Sequence, residues 1–183
     1  MRALCYQTFA DPVDLRVEDV PAPVPAAEEV LVRIHAASVN PVDWKIATGG
    51  FRLLVRGGLP RTMGSDFAGE VIATGAGSTR LAPGDRVFGF VDPFTRTGGT
   101  FADFAAIPSE FAHRLPDAVP FRDAAALACV GATAVTLCNL GRVTLGSRVL
   151  VNGASGGVGH MAVQVAKARG ATVTATSSAT RHN

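Results

Sequence analysis

A run of small residues near the C-terminal end of the chain has the composition of a phosphate-binding turn. Residues 153–159 read Gly-Ala-Ser-Gly-Gly-Val-Gly and join an apolar run, 148–152, to a helical pattern, 161–169. Small residues let the backbone approach a pyrophosphate, and the N-terminus of the next helix offers unpaired N–H groups to it. We predict that this turn binds a dinucleotide; the alternative is an ordinary tight turn. The predicted cofactor contacts are Ala154, Ser155, Gly156, Gly157, Val158 and Gly159. Ala154 stands where the G-x-G-x-x-G pattern has its first glycine.

The segment after the next predicted strand favours a cofactor with a 2′-phosphate. Residues 171–176 are rich in β-branched side chains and predict that strand. NAD-preferring sites place Asp or Glu at its end, to bind the ribose 2′-hydroxyl. This chain instead has Ser177, Ser178 and Arg181, and no acid between 124 and 183. Hydroxyl and guanidinium donors suit a phosphate, so we predict NADPH as the cofactor. A polar surface loop is the alternative.

The elements that must hold these residues differ in the two parts of the chain. Short runs separated by Gly, Pro and Asp predict strands of a β-rich barrel or sandwich in the first part. These strands are 29–36, 69–73, 85–90 and 101–107. Three alternate prolines, Pro21, Pro23 and Pro25, predict an extended connector.

The pattern becomes helical near Pro120. Asp123 predicts the N-cap of a helix that begins with Ala124, and a second apolar stretch, 132–140, ends at Gly141. The β-α-β pattern around the glycine-rich turn follows. We therefore expect a β-rich domain over 1–122 and an α/β domain over 123–183.

Composition restricts the partners. The net charge of +2 gives nucleic-acid binding no overall electrostatic support, and we find no run of eighteen apolar residues and no signal peptide. The chain has three widely spaced cysteines and so no disulfide framework. We expect a cytoplasmic protein with a small-molecule substrate and without a nucleic-acid or membrane partner.

Four ordered motifs resemble the medium-chain dehydrogenase/reductase superfamily, and within it the zinc-independent quinone oxidoreductase branch. They are 38–45 (SVNPVDWK), 63–71 (MGSDFAGEV), 83–87 (PGDRV) and the glycine-rich turn. The resemblance implies a GroES-like β-barrel domain followed by a Rossmann domain, with a substrate cleft between them. It also implies that the full-length form is a homodimer, and that the Rossmann domain is incomplete in this chain. We therefore expect the 183 residues alone to be a poor enzyme.

The same resemblance implies that no metal is bound. Zinc-dependent members have a cysteine where this chain has Asn40, and Gly-His-Glu where it has Gly64-Ser65-Asp66. The four-cysteine loop of a structural zinc is also missing from 91–100. Cysteine and histidine are the ligands that zinc prefers, so we predict neither a catalytic nor a structural zinc site.

The candidate catalytic residues are Asn40, Asp43 and Lys45, which lie where related reductases line the cleft. Asn40 would donate to a substrate oxygen or to the cofactor amide, and Asp43 would orient its neighbours. A hydrogen-bonded turn around Pro41 is the alternative for all three. Thr133 resembles the threonine that approaches the cofactor phosphate in relatives; a helix-surface threonine is the alternative.

These observations leave three hypotheses for function. The first is NADPH-dependent hydride transfer to a quinone or an α,β-unsaturated carbonyl without a metal. The second is a zinc-less reductase similar to an alcohol dehydrogenase. The third is a non-catalytic remnant that keeps a GroES-like module and a vestigial nucleotide motif.

Overall fold

Short antiparallel strands build the first part of the chain, where apolar residues alternate with polar ones between turns. The computed structural model describes residues 1–11, 13–77, 80–94 and 98–181. The strands of this part are β1 (Arg2–Tyr6), β2 (Leu15–Asp19), β3 (Glu29–Ala36), β4 (Arg61–Thr62), β5 (Asp66–Thr74), β6 (Arg86–Phe90), β7 (Phe104–Pro108) and β8 (Ala112–Arg114). A short helix, α1 (Pro41–Ala47), lies between β3 and β4.

Two antiparallel sheets contain these strands. The larger has the order β7-β3-β5-β6-β8, and the smaller has the order β2-β1-β4. A single bridge, Ala3 to Ala102, adds a further pairing to β1. The core of the larger sheet is formed by fully buried side chains that alternate along its strands, among them Val30, Val32, Phe67 and Val87. The β-rich architecture predicted for this part of the chain is therefore confirmed.

A β-α-β unit follows. Its elements are α2 (Phe121–Leu140), β9 (Arg148–Asn152), α3 (Gly157–Ala168) and β10 (Thr172–Thr176). β9 and β10 are parallel and paired along their whole length, with α3 as the crossover between them. This is the predicted start of a Rossmann domain, although β9 is more exposed than its apolar sequence indicates, with Leu150 67% exposed.

The chain divides into two compact units, 1–128 and 129–183. This division lies within α2, six residues after the boundary that we predict from the sequence at 122/123.

The helix α2 differs from its prediction in two respects. It is continuous from Phe121 to Leu140, whereas the sequence predicts two apolar stretches. It also begins two residues before Asp123, so that Asp123 lies in the first turn and is not the N-cap. The glycine at 131 does not break the helix, because one interior glycine costs only about 1 kcal/mol.

The length and composition of α2 bear on the expectation of no membrane span, which rests on the absence of a run of eighteen apolar residues. In the part of the chain that is described, α2 is the helix long and apolar enough to cross a bilayer, with a mean hydropathy of 1.5. Core helices pass the same test. Ala124 and Ala125 at its start are buried against Ala68 and Leu115 of the first unit, so packing accounts for the apolar character of this end.

One arginine joins the larger sheet to the segment that leads into α2. The Arg86 guanidinium donates to the carbonyl oxygens of Pro116 at 2.9 Å and Val119 at 2.6 Å. It also lies 4.5 Å from the centre of the Phe121 ring, and His35 stacks on the same ring. The planar guanidinium thus satisfies two carbonyls while it covers an aromatic face.

Replacing this arginine tests the joint. We expect Arg86→Lys to lower the free energy of unfolding by about 1–2 kcal/mol, because an ammonium cannot span both carbonyls and stack on the ring. Arg33→Lys, at an exposed position of β3 in the same sheet, is the matched control and should change stability little. Urea denaturation of the three proteins gives the comparison, and equal stability of Arg86→Lys and wild type would contradict it.

Candidate functional site

The first turn of α1 is held by an exchange of hydrogen bonds between Asn40 and Asp43. Asn40 precedes the helix in an extended conformation, and Pro41 is suited to the first helical position because its missing N–H has no partner there. The backbone N–H of Asn40 donates to the Asp43 carboxylate at 2.7 Å, and the Asp43 N–H donates to the Asn40 carbonyl at 3.0 Å. The side chain of Asp43 is thereby fixed at the helix start.

The Asp43 carboxyl group is buried and accepts a second hydrogen bond from Ser65, the residue that precedes β5. The Ser65 hydroxyl donates to Oδ1 of Asp43 at 2.6 Å, while the Asn40 N–H uses Oδ2. Burial raises the pKa of the Asp43 carboxyl, because water is removed from its charged form, and the hydrogen bonds from Ser65 and Asn40 partly oppose this shift. Both carboxylate oxygens therefore have a donor, in keeping with the expectation that Asp43 orients its neighbours.

A second buried carboxylate fixes the side chain of Asn40. Asp66 Oδ2 accepts from the Asn40 amide Nδ2 at 2.9 Å and from the Ser38 hydroxyl at 2.5 Å. Thr100 holds the backbone of Asp66 by donating to its carbonyl at 2.7 Å. Since a carboxylate accepts and does not donate, the amide nitrogen of Asn40 must face Asp66 and its oxygen must face elsewhere. Asp66 thus sets the orientation of the amide.

Two of the three predicted catalytic residues lie together, and one does not. Asn40 and Asp43 belong to one hydrogen-bonded group, which we call the carboxylate cluster. Its members are Ser38, Asn40, Asp43, Ser65 and Asp66. Lys45 lies on the exposed side of α1, with its ammonium 5.7 Å from the centre of the Trp44 ring. The structure therefore brings Lys45 against Trp44 and not into the cluster.

Three members of the carboxylate cluster, Ser38, Ser65 and Asp66, are not among the candidate catalytic residues of the sequence analysis, although they lie in two of the motifs that carry the family resemblance. Ser65 and Asp66 stand in the 63–71 motif, where the resemblance implies metal ligands in zinc-dependent relatives, and Ser38 begins the 38–45 motif. Asp66 is 26 residues from Asn40 in sequence, so no local pattern joins them. The signal that could have found them is the shared position of Asn40, Ser65 and Asp66 relative to the metal ligands.

The donor set of the cluster differs from that of a zinc site. Its side chains are one amide, two hydroxyls and two carboxylates, and both carboxylates accept hydrogen bonds within the cluster. Among the residues that the structure describes, no group of three or more His, Cys, Asp or Glu side chains could hold a metal ion. Hydroxyl and amide groups replace the thiolate and imidazole that zinc prefers.

The glycine-rich turn connects the paired ends of the parallel strands to α3. The carbonyl of Thr176, the last residue of β10, accepts from the Ala154 N–H at 2.8 Å. Its hydroxyl donates to the Asn152 side chain at 2.6 Å. The turn therefore stands at the carboxyl edge of the two strands, where ligands of α/β sheets bind. Gly156 is the N-cap of α3, and no side chain caps the helix, so its first N–H groups are left for a ligand.

The backbone of this turn requires glycine at two positions, one because space is lacking and the other because of its conformation. A Cβ at position 159 would lie 2.3 Å from the Gly153 carbonyl oxygen, and Gly153 itself has a positive φ of 76°. At Gly156 a Cβ would meet its nearest atom at 3.4 Å, an ordinary contact. Gly153 and Gly159 are thus required by the tight turn, and the exposed backbone at 156–157 is the surface that fits a pyrophosphate.

The remaining predicted cofactor contacts have mixed outcomes. The Thr133 hydroxyl donates to the Cys129 carbonyl at 2.8 Å, which is a bond within α2 and corresponds to the helix-surface alternative. Ser177 and Ser178 follow β10 directly and so lie next to the turn, and the Ser178 hydroxyl is 3.1 Å from that of Thr180. The side chain of Arg181 is outside the described residues. The cofactor roles of all four remain predictions.

Comparison with known proteins identifies a family and relatives that match most of the chain. The family described as the alcohol dehydrogenase GroES-like domain matches residues 26–117. The rat quinone oxidoreductase is 38% identical over 178 residues, which are 96% of this chain and 52% of the relative. The chain thus spans about half the length of the curated relatives it matches.

Solved structures show the same fold. An alcohol dehydrogenase superfamily protein from Novosphingobium aromaticivorans has a TM-score of 0.90 at 36% identity, over 98% of this chain and 54% of that protein. The quinone oxidoreductase of Escherichia coli, crystallised in complex with NADPH, has a TM-score of 0.82 at 28% identity. The matched region is 97% of this chain and 52% of the Escherichia coli protein.

The protonation of Asp43 gives a direct test of the cluster. Its raised pKa means that the carboxyl binds its proton more tightly in the folded than in the unfolded state, so its contribution to stability is present below the unfolded-state pKa and is lost as pH rises through the folded-state value. We expect carboxyl ¹³C NMR to place the Asp43 midpoint above the usual Asp value. Asp14 is the internal control, because its hydrogen bond from Arg16 lowers its pKa. An Asp43 midpoint at or below that of Asp14 would contradict the burial argument.

Proposed function

Because the chain belongs to the medium-chain dehydrogenase/reductase superfamily, through its alcohol dehydrogenase GroES-like domain, we propose that the protein reduces a quinone or an α,β-unsaturated carbonyl with NADPH and without a metal. The observation that carries the proposal is the uncapped glycine-rich turn at the carboxyl edge of parallel strands. The relatives named above are quinone oxidoreductases, which supports the choice of substrate class.

The residues of the second unit would bind the cofactor. The first N–H groups of α3 would donate to the pyrophosphate, whose charge is favoured by the positive end of the helix dipole. Ser177, Ser178 and Arg181 would donate to the 2′-phosphate, and the absence of acid from 124–183 removes the usual partner of an unphosphorylated ribose. NADPH, when bound, supplies the hydride.

The carboxylate cluster would stabilise the charge that forms on the substrate. Hydride addition to an enone or quinone carbon moves an electron pair toward the carbonyl oxygen. The amide nitrogen of Asn40 has two hydrogens, and Asp66 accepts one of them. The second hydrogen is available for the substrate oxygen, and its direction is fixed in advance by Asp66. Such preorganisation avoids a reorientation cost during the reaction.

The metal-independence of the reaction rests on the same residues. Asn40, Ser65 and Asp66 stand at the positions of the ligands in zinc-dependent relatives, and here they bind one another or Asp43. A neutral amide donor would take over the polarising role of a Lewis acid. The protein expressed from the complete reading frame that contains these residues should therefore keep its NADPH oxidation rate with quinones after dialysis against a chelator. Loss of activity that zinc restores would contradict this part of the proposal.

Substitution of Asn40 tests the polarising role. We expect Asn40→Ala to lower kcat about 10- to 100-fold and to change KM much less, because the amide acts mainly in the transition state. Lys45→Ala, on the exposed side of the same helix, should leave kcat near that of wild type. Steady-state kinetics with a soluble quinone and circular dichroism of each variant give the comparison. Wild-type kinetics in Asn40→Ala would assign Asn40 to the structural alternative.

Cofactor preference is tested at Arg181. We expect Arg181→Ala to weaken NADPH binding by about 1.5–3 kcal/mol, the range for a hydrogen bond to a charged group, with a much smaller effect on NADH. Arg169→Ala is the matched control, since that guanidinium donates to the Asn139 side chain at 2.7 Å within the same unit. Fluorescence titrations with both cofactors measure the difference. Equal weakening of NADPH and NADH would separate Arg181 from the 2′-phosphate.

A further inference from the structure

The end of α1 and the segment between α1 and β4 expose apolar side chains that do not belong to the hydrophobic core of the described residues. We call residues 44–59 the apolar loop. Leu53 is 99% exposed, Leu54 is 63% exposed and Trp44 is 49% exposed. A single exposed leucine is ordinary on a protein surface. Two adjacent leucines and a large aromatic residue within one short segment are less so, because their hydration is unfavourable unless something covers them.

The backbone of the apolar loop is held in place while these side chains project from it. The N–H groups of Leu54 and Val55 both donate to the Phe51 carbonyl, at 2.8 and 3.2 Å. The Arg56 N–H donates to the Phe94 carbonyl at 2.6 Å, and the rings of Phe51 and Phe94 meet edge to face. Leu53 and Leu54 therefore lie on hydrogen-bonded turns, and the Arg56–Phe94 hydrogen bond fixes the C-terminal end of these turns.

The apolar loop and the six residues that follow it, 60–65, contain charged residues of one sign only. Residues 44–65 contain four basic residues and no acidic residue, although residues 1–123 as a whole have 12 basic and 15 acidic residues. Three of these cations, Lys45, Arg52 and Arg56, are exposed. The fourth, Arg61, is buried and donates to the carbonyls of Arg56 and Pro93. The apolar tips are thus flanked by cations on a domain that is otherwise acidic.

We propose that the apolar loop binds the surface of an anionic lipid bilayer. Leu53 and Leu54 would enter the boundary between headgroups and acyl chains, and Trp44 would lie at headgroup level, where amphipathic aromatic rings are favoured. Lys45, Arg52 and Arg56 would pair with lipid phosphates and carboxylates. Charge complementarity favours an anionic bilayer as the partner. The exposed cations match its negatively charged headgroups, and the exposed leucines match its apolar acyl chains.

This contact is peripheral and does not span the bilayer. The sequence-based expectation of no membrane partner depended on the absence of a spanning segment, and it does not address surface contacts. The proposal is also separate from α2, which meets the length criterion for a span but begins with residues packed in the first unit. It does not depend on the proposed reductase activity.

Trp44 makes the test direct, because it is the only tryptophan in the chain. We would mix the protein with phosphatidylcholine vesicles that either contain or lack phosphatidylserine. We expect co-sedimentation with the anionic vesicles only, a blue shift of the Trp44 emission on binding, and loss of both in high salt. Bromine-labelled acyl chains should quench the same fluorescence.

Variants identify the surface that binds. We expect the double variant Leu53→Ser, Leu54→Ser to reduce the vesicle partition coefficient at least about tenfold, and Arg52→Gln to reduce it about fivefold. Leu145→Ser is the matched control, because Leu145 is 86% exposed outside the apolar loop. Arg142→Gln is the control for charge. Circular dichroism checks that each variant is folded.

Three results would overturn the proposal. The first is no binding of the wild type to anionic vesicles. The second is an equal loss in the Leu145→Ser control, which would show that any exposed apolar residue drives adsorption. The third is self-association in the absence of lipid that the Leu53→Ser, Leu54→Ser variant abolishes, because the apolar loop would then meet a second copy of the chain.

Discussion

The burial of two carboxyl groups, Asp43 and Asp66, is the constraint on which the proposed substrate site depends. Removing a carboxylate from water is costly unless donors replace the lost hydration. Asp43 obtains its donors from the Asn40 backbone and Ser65, and Asp66 obtains two of its donors from Ser38 and the Asn40 side chain. The start of α1 and the start of β5 are thereby tied together, because each carboxylate takes donors from outside its own element.

This arrangement explains how the site keeps its geometry with a donor set unsuited to zinc. In a zinc site, coordination to the shared ion holds the ligand side chains in position. In the carboxylate cluster the amide of Asn40 holds the middle position, since its backbone faces one carboxylate and its side chain faces the other. Loss of either carboxylate would leave a polar group of Asn40 without its partner.

Sequence reasoning located the features that depend on local chemistry. The glycine-rich turn, the strands 29–36 and 148–152 and the stop of α2 before Gly141 follow from residue type and spacing over a few positions. β1 and β2 were missed because their short, mixed sequences show no clear alternation; β2 is largely exposed in its sheet. The contacts of Asp66 were not predicted, since tertiary packing alone brings it to Asn40. The resemblance implies that Lys45 lines the cleft together with Asp43, but the structure places its ammonium near the Trp44 ring on the exposed side of the helix.

The two proposed binding functions are therefore specified in different ways. The glycine-rich turn needs little beyond its own residues, because Gly159 packs against the Gly153 carbonyl and Thr176 holds Ala154 from the neighbouring strand. These contacts all lie within the β-α-β unit of β9, α3 and β10. The carboxylate cluster instead requires the whole larger sheet to be in register, since β5 must present Asp66 while β3 leads into Asn40. Changes in the core of that sheet would consequently affect the orientation of the Asn40 amide, and with it the proposed stabilisation of charge, before they affect the turn.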